Sequence, residues 1–236
     1  MSYDTAEAVN GSPMTTITSL DQFLKVQLQE WGRTDAERKG ARAAPVIAIT
    51  REPGCEGEYI AGKLAEAFDL VLYDWEIVEQ IAADAHVSEQ AVASLGEQVG
   101  SQLNDWLDDF SGGAGISAQH YLQCLRKVLF TIAAHGKAVI LGRGANFLLP
   151  SPNRTLGVCL VAPLENRARN IMQALGMSHA KALEHIARAE QEQRLWVREI
   201  LHADINDAAN YHLVINTALI KTETIVQIVR STITTS

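Results

Sequence analysis

The sequence predicts an open α/β fold: a five-stranded parallel sheet covered by helices on both faces. Five short runs are apolar at consecutive positions, which is what strands buried on both faces of a parallel sheet require. Segments with helical periodicity separate these runs, and alternating strands and helices give a parallel sheet with right-handed crossovers. The runs are PVIAIT, LVLY, AVILG, LGVCLVA and HLVINT.

The residues before the first apolar run form a separate extension, residues 1–44. A polar leader to about Thr16, containing glycine and proline, is expected to be disordered. From Ser19 to Trp31 the apolar spacing predicts an amphipathic helix, which Ser19 or Asp21 would cap. Its apolar face is one candidate interface for a homo-oligomer. A basic, exposed linker follows from Gly32 to the first strand.

Residues 45–236 are expected to form one domain. After the first strand, Ile60, Leu64 and Phe68 follow a helical period, and so do Leu122, Leu125, Leu129 and Ile132 before the third strand. A long helical pattern runs from Ser178, as its N-cap, to Leu201. Chains of 236 residues with 47% hydrophobic residues can bury one sizeable core.

Composition excludes several classes of partner. A formal net charge of −8 argues against a surface that binds nucleic acid or an anionic membrane. No apolar run approaches the ~18 residues of a membrane span, and the N-terminus does not resemble a signal peptide. The three cysteines form no CxxC pair. A cytoplasmic location and a small-molecule or protein partner are therefore expected.

The turn after the first strand is the first place to look for a site, because ligands bind at the carboxyl ends of parallel strands. It reads TREPGCEGEYIAGKLAEAF, and it joins a buried strand to an amphipathic helix through Gly54 and Gly57. Backbone N–H groups converging at a helix N-terminus can hold phosphate. The GxxxxGK[ST] template is not met, since Glu56, Gly57 and Glu58 replace its second glycine, lysine and hydroxyl. A turn without phosphate-binding function remains an alternative.

A longer set of motifs resembles the cytidylate kinase-like family. The segment from Ile49 to Ala82, the run VILGRGANFLL, the pair Arg194 and Arg198, and ADINDAANYHLVINT occur in the family's order over roughly residues 45 to 217. The resemblance implies a P-loop nucleoside monophosphate kinase fold with a helical lid around residues 178–210. It also implies that ATP, with Mg²⁺, donates its γ-phosphate to CMP, dCMP or UMP.

The resemblance also assigns site residues. The acceptor nucleotide would contact Asp74, Arg143 and Asn146, and Arg143, Arg194 and Arg198 would act in catalysis. The residues that would bind ATP are Arg51, Gly54, Cys55, Glu56, Gly57, Glu58 and Tyr59.

The loop departs from the family pattern, because Cys55, Glu56 and Glu58 stand where the family usually has serine, glycine and arginine. Exchanging arginine for glutamate beside a phosphate reverses an interaction of about 4 kcal/mol at ~4 Å and an effective dielectric near 20. Alternatively, Glu58 is a Mg²⁺ ligand, since carboxylates hold Mg²⁺ together with phosphate oxygens. Cys55 is either a reactive thiol or a small loop residue, and the neighbouring glutamates favour the latter.

Other candidates also have a structural alternative. Asp74 can cap the helix that begins at Trp75, and Arg143 can form a surface ion pair. Arg194 and Arg198 share a helix face, where Glu190 and Glu199 could be their partners. We expect Arg167 and Arg169 to be ordinary charges on a helix surface, and His202, Asp204 and Asp207 to end the long helix without binding metal.

Three functions follow in order of preference. The first is an ATP-dependent nucleoside monophosphate kinase of cytidylate type. The second is a catalytically weak or inactive pseudokinase that senses a nucleotide or small ligand or binds a partner, as the acidic loop favours. The third is an oligomerising scaffold that uses the Ser19–Trp31 helix.

Overall fold

A computed structural model describes residues 16, 17, 19, 22, 23, 45–83, 116–142, 144–149 and 155–235. Within these residues six parallel strands form one sheet in the order β1-β3-β4-β2-β5-β6. The strands are β1 (Thr16–Ile17), β2 (Val46–Arg51), β3 (Val71–Asp74), β4 (Ala138–Leu141), β5 (Thr155–Val161) and β6 (Leu213–Asn216). The predicted fold class is confirmed, and all five predicted strands are present.

Helices cover both faces of this sheet. They are α1 (Gly57–Phe68), α2 (Trp75–Ala83), α3 (Ile116–His135), α4 (Ala145–Leu148), α5 (Leu164–Leu175), α6 (His179–Leu201) and α7 (Thr222–Thr235), with a 3-10 turn at Ala208–Asn210. None of the described helices is both long and apolar enough to cross a membrane.

Strand β2 shows why the apolar runs are continuous. Val46 and Ala48 belong to a core cluster with helices α2, α3 and α4. Ile47 and Ile49 belong to a second cluster with α1 and α7 on the other face. Because successive side chains of a strand point to opposite faces, a strand buried on both sides must be apolar at every position.

The sheet has one strand that the pattern did not predict. Thr16 and Ile17 pair with Leu72 and Tyr73 of β3, and Ile17 is buried in the first core cluster. A two-residue strand is too short to carry a periodic signal. The strand stands at the end of the expected leader; the rest of the leader lies outside the described residues.

Only the beginning of the predicted Ser19–Trp31 helix can be compared with the structure. The Ser19 hydroxyl accepts a hydrogen bond from the Gln22 N–H at 3.3 Å, as an N-cap side chain does. Phe23 is buried in the first core cluster. The other residues of this helix and the linker after it lie outside the described residues, so the predicted oligomer interface stays a prediction.

The long predicted helix is α6, and Ser178 is its N-cap residue without a side-chain capping bond. Its first half packs on α5, where Ala182 and Ile186 are buried with Ala168 and Ile171. Its second half returns toward the sheet, and Trp196, Ile200 and Leu201 pack against the first core cluster. Helix α6 therefore passes over the carboxyl-end region of the sheet.

Candidate functional site

The β2–α1 loop (residues Glu52 to Glu56) leaves the centre of the sheet and leads into α1. The Cys55 N–H bonds the Glu52 carbonyl at 3.3 Å, which closes the turn. Gly54 and Glu56 both have positive φ, 87° and 61°. Glu56 therefore has a left-handed conformation that suits glycine, at a cost of about 1–2 kcal/mol.

Helix α5 holds the carbonyl groups of this loop. Arg167 Nη1 donates to the Pro53 carbonyl at 3.4 Å, and Asn170 Nδ2 donates to the Gly54 carbonyl at 2.9 Å. Because N–H and C=O point in opposite directions across a trans peptide, the Gly54 N–H points away from α5. The N–H groups in the first turn of α1 are further available donors beside the Gly54 N–H, because they have no partner within the helix. The loop can thus present amides to an anion.

Arg167 is not the surface charge that we expected; that prediction was wrong. Its side chain is buried, whereas Arg169 is exposed as predicted. Arg167 Nε donates to the Ala162 carbonyl at 2.8 Å and lies 3.4 Å from Glu52 Oε2. Its Nη1 donates to Glu190 Oε1 of α6 at 2.6 Å. One guanidinium therefore joins the end of β5, the β2–α1 loop and α6.

Arg51 lies across the N-terminus of α1. Its carbons are so close to Gly57 that an added Cβ there would lie 2.8 to 3.0 Å from three of them. Its guanidinium reaches Glu58, with Nε and Nη2 both 3.0 Å from Glu58 Oε1. The Glu58 side chain is 64% exposed and that of Arg51 only 15%. The Glu58 carboxylate thus pairs with the Arg51 guanidinium, so an anion that bound Arg51 would have to displace it.

Cys55 turns inward, away from solvent. Its thiol is fully buried, 3.5 Å from the Leu160 carbonyl. Burial, reinforced by Glu58, raises the pKa of this thiol to about 12. The structure therefore favours the small-residue interpretation over a reactive thiolate. Only the backbone of Cys55 can contribute to an anion site.

A cavity of about 370 Å³ opens beside the loop, at the carboxyl ends of β2, β5 and β6. Its floor is a row of paired strand residues: Thr50 is opposite Cys159, and Cys159 is opposite Val214. The other lining residues come from the last positions of β2 and β5, from the loop, from α6 and from the segment before β6: Arg51, Val161, Glu52, Pro53, Glu190, Gln193, Arg194, Ile205, Asn206, Ala208 and Tyr211. The volume falls within the usual range for a small-molecule pocket.

Tyr211 and Cys159 give this cavity a polar but uncharged part. The Tyr211 hydroxyl donates to the Ile205 carbonyl at 2.8 Å. Burial raises the pKa of the Tyr211 phenol, and burial raises the pKa of the Cys159 thiol to about 11. Both groups therefore stay protonated at neutral pH. The formal charges that line the cavity are those of Arg51, Arg194, Glu52 and Glu190.

Comparison with known proteins adds the decisive observation. The model of the cytidylate kinase-like family matches residues 46–219, most of the chain. The chain belongs to the cytidylate kinase-like family. It is 35% identical over 80 residues to a cytidylate kinase of Ignicoccus hospitalis, a match covering 34% of this chain and 46% of that protein. It is 34% identical over 101 residues to a cytidylate kinase of Pyrococcus horikoshii, covering 43% and 52%. The chain thus spans about half the length of these relatives.

Among solved structures, the chain is similar to an uncharacterized protein from Eubacterium ventriosum. The TM-score is 0.62 at 19% identity, and the match covers 81% of this chain and 99% of the other. At this identity the similarity concerns the fold alone. The fold is of the P-loop nucleoside monophosphate kinase type, as family membership requires.

In this cytidylate kinase-like chain the structure brings together some of the predicted site residues. Arg51 and Arg194 both line the cavity, and the loop residues adjoin it. Arg194 is 3.8 Å from Glu190 Oε2, and Arg198 bonds Glu199 at 3.0 Å, so the alternative partners are indeed present. Arg198 does not line the cavity. Tyr59 is 55% exposed, with the Lys63 ammonium 6.0 Å from its ring centre.

The predicted acceptor residues lie near the ends of β3 and β4. Asp74 accepts a hydrogen bond from the N–H of Trp75, the first residue of α2, at 2.6 Å, and burial raises the pKa of its carboxyl. A capping side chain bonds the second or third N–H of a helix, so the capping role of Asp74 stays a prediction. Asn146 donates to the Asn210 carbonyl at 2.6 Å and is packed against Gly157. Arg143 lies outside the described residues.

Gly144 is closely surrounded by side chains of α6. Its φ is 63°, and an added Cβ would lie 2.6 Å from Leu201 Cδ1 and 2.8 Å from a ring carbon of Trp196. Side chains of α6 therefore occupy the space where a Cβ atom at position 144 would lie.

No group of three or more metal-ligating side chains occurs in the part of the chain that the structure describes. Asp204 accepts from the Asn206 N–H and Asp207 from the Ala209 N–H, both at 2.9 Å, so they stabilise the turns after α6. His202 is the C-cap residue of α6. His202 therefore ends the helix as predicted, and the two aspartates act in the segment that follows it.

Proposed function

We propose that this chain transfers the γ-phosphoryl group of ATP to a pyrimidine nucleoside monophosphate, CMP, dCMP or UMP. The observation that carries the proposal is the cavity at the carboxyl ends of β2 and β5, because it adjoins the β2–α1 loop and contains Arg51 and Arg194. A phosphate-binding turn, cations and a small-molecule cavity at one sheet edge are what a nucleotide donor site requires. Family membership supports the same reaction class.

The loop amides around Gly54 and Gly57 would hold the ATP phosphates. The α5 contacts support this role, because they fix the Pro53 and Gly54 carbonyls on the opposite side. Arg51 and Arg194 would neutralise charge on the transferring group, and Arg198 would approach only if α6 moved. Catalysis consists of positioning and charge stabilisation without a covalent enzyme intermediate. The γ-phosphorus bond to ADP breaks as a bond to the acceptor phosphate oxygen forms.

Mg²⁺ would be held mainly by the nucleotide. In phosphate-transferring enzymes this ion uses one or two carboxylates together with phosphate oxygens and water. Glu58 is an exposed carboxylate in the first turn of α1, next to the loop, and it would leave Arg51 to bind the metal. The ion would neutralise the phosphate charge that develops during transfer. The side chains present therefore fit a Mg²⁺ ion that takes one carboxylate, Glu58, from the protein and its other ligands from phosphate oxygens and water.

The acceptor would bind on the side of β3 and β4. Asp74 lies at the end of β3, Arg143 follows the end of β4, and Asn146 lies in α4. Arg143 would pair with the acceptor phosphate, since arginine forms two parallel bonds to such oxygens. Asp74 would contact the sugar or base. We place the reaction in the cytoplasm, which suits the three unpaired cysteines.

A second function, nucleotide binding without turnover, is favoured by one contact. Glu58 neutralises Arg51, and the segment from Arg51 to Tyr59 contains no lysine. The next lysine, Lys63, is bonded to Glu66 at 2.8 Å. A pseudokinase of this kind would sense ATP or another phosphorylated ligand.

A coupled assay for ADP release, run with ATP, Mg²⁺ and each of CMP, dCMP and UMP, tests the first function against the second. The matched variants are Arg51→Gln in the site and Arg169→Gln on the exposed face of α5. Turnover that Arg51→Gln abolishes and Arg169→Gln keeps supports the kinase. A ligand-induced rise in melting temperature without turnover supports the sensor. If the chain shows no turnover and its melting temperature does not change with any ligand, both functions are contradicted and the scaffold function remains.

A further inference from the structure

Arg167 connects the β2–α1 loop to α6. It reaches the Pro53 carbonyl on one side and Glu190 on the other, at 3.4 and 2.6 Å. Gly54 also packs against its backbone, since an added Cβ would lie 2.7 Å from the Arg167 carbonyl oxygen. The side chain is only 7% exposed, so these contacts are shielded from water.

The carboxylates around Arg167 extend the connection to the cavity. Glu52 bonds the Ala162 N–H at 2.9 Å and lies 3.4 Å from Arg167 Nε. Glu190 uses Oε1 for Arg167, and its Oε2 lies 3.8 Å from Arg194. Glu190 therefore stands between a buried arginine that holds the loop and an exposed arginine that faces the cavity.

We propose that Arg167 is a positioning residue that couples the β2–α1 loop to α6 through Glu190. In this arrangement an anion held by the loop also restrains α6, and α6 in turn keeps the loop amides in place. The coupling is reciprocal, because a change of affinity between two sites acts equally in both directions. The proposal rests on the proposed function where the anion is the ATP triphosphate, but the contacts themselves exist without ligand.

The first test uses the ligand-free full chain and hydrogen exchange. Glu190→Gln removes the charge on α6 but keeps an oxygen that can accept from Arg167. We expect exchange of the Cys55 N–H, which bonds the Glu52 carbonyl and closes the loop, to become about tenfold faster, the size expected when a charge-assisted hydrogen bond becomes a neutral one. Glu192→Gln is the matched control, because Glu192 is exposed on the same helix. It should leave the loop unchanged.

An increase of exchange confined to α6, or equal effects of the two variants, would overturn the proposal. Either result would mean that Arg167 anchors the loop and the helix independently. Because no nucleotide is present, this test stands even if the chain proves not to be a kinase.

The second test separates positioning from a purely structural role. Arg167→Lys keeps the charge, but a lysine ammonium cannot serve Ala162, Pro53 and Glu190 with the planar geometry of arginine. We expect KM for ATP to rise about tenfold while KM for the nucleoside monophosphate stays unchanged, since the contacts are to the donor loop alone. A general loss of folded protein would lower kcat and leave both KM values unchanged.

If the unmodified chain shows no turnover, the proposed kinase function fails and pyrophosphate becomes the probe. Calorimetry should then give about tenfold weaker pyrophosphate binding for Arg167→Lys than for the unmodified chain. Unchanged binding, or an equal rise of both KM values in the active enzyme, would contradict the positioning role.

Discussion

Replacing Glu58 with glutamine should strengthen ATP binding in the absence of Mg²⁺. The substitution keeps the shape of the side chain but removes the carboxylate that now occupies Arg51 at 3.0 Å. ATP would no longer have to displace an internal anion from the guanidinium. It would also lose the repulsion between the glutamate and its own phosphates.

The exposure of Glu58 limits the size of this effect. Ion pairs at exposed positions contribute about 0.2–1 kcal/mol. Repulsion between two unit charges ~4 Å apart is about 1 kcal/mol in bulk water, and a side chain that is 64% exposed lies close to that limit. The two contributions together come to about 1.2–2 kcal/mol, which corresponds to a Kd that is about eight- to thirtyfold lower.

Titration calorimetry of ATP, with EDTA and then with Mg²⁺, measures this change. Glu66→Gln is the matched control, because Glu66 lies two turns further along α1 and pairs with Lys63 instead of Arg51. An equal or weaker affinity of Glu58→Gln in EDTA would refute the reasoning. If the gain in EDTA turned into a loss with Mg²⁺, Glu58 would be a metal ligand, as carboxylates in such sites often are. The gain should also shrink at high salt.

Three further predictions concern the cavity, the thiol and the loop. Arg194→Gln should raise KM for ATP about tenfold, because it removes a cation from the cavity. Steady-state kinetics measure this with Arg188→Gln as the control, and equal KM values for the two variants would contradict the prediction. The folded-state pKa of Cys55 lies near 12 against an unfolded value of 9.0. The unfolded thiol therefore loses its proton first, so stability falls from pH 9 to 12, and Cys55→Ala should lessen that fall in denaturant titrations. Gly54→Ala should lower the free energy of unfolding by about 2–4 kcal/mol, because residue 54 has a positive φ and its new Cβ would meet the Arg167 backbone. Gly176→Ala, where φ is 63° and the space is open, should lower it by only about 1–2 kcal/mol. Equal losses in the two variants would contradict the role of the Arg167 contact.

The core of the fold could be predicted because burial on both faces leaves a direct mark on the sequence. Strands such as β2 and β5 have long runs of consecutive apolar residues. A strand with one face in solvent alternates apolar and polar residues instead. The two-residue strand β1 left no such mark. Helix α6 was predicted within one residue at its start, since Ser178 and the spacing of Ala182 and Ile186 define its first turns.

The site was harder to predict, because its contacts join segments that are distant in sequence. Arg167 and Arg169 look alike in the chain, yet only Arg167 falls on the buried face of α5 with Ala168 and Ile171. The spacing of Arg167 four residues before Ile171 was the available signal. The cavity wall formed by residues 205–211 gave no periodic signal, since irregular segments have no periodicity, and it was marked only by the family motif ADINDAANYHLVINT. The Arg51–Glu58 pair was missed although its residues are close in sequence, because each was assigned a role toward ATP, Arg51 as a ligand of the nucleotide and Glu58 as a repulsive charge or a metal ligand.

The position of β2 in the middle of the sheet has a consequence for how the protein is made. Its two neighbours are β4 and β5, so Val46 pairs with Ala138 and Thr155. During synthesis the strand emerges from the ribosome long before either neighbour exists, and such long-range pairing forms late. The turn that follows β2 cannot acquire its final geometry until the chain has been extended through α5, which supplies Arg167 and Asn170. A nascent or truncated chain that ends before this helix should therefore expose an apolar strand and depend on chaperones.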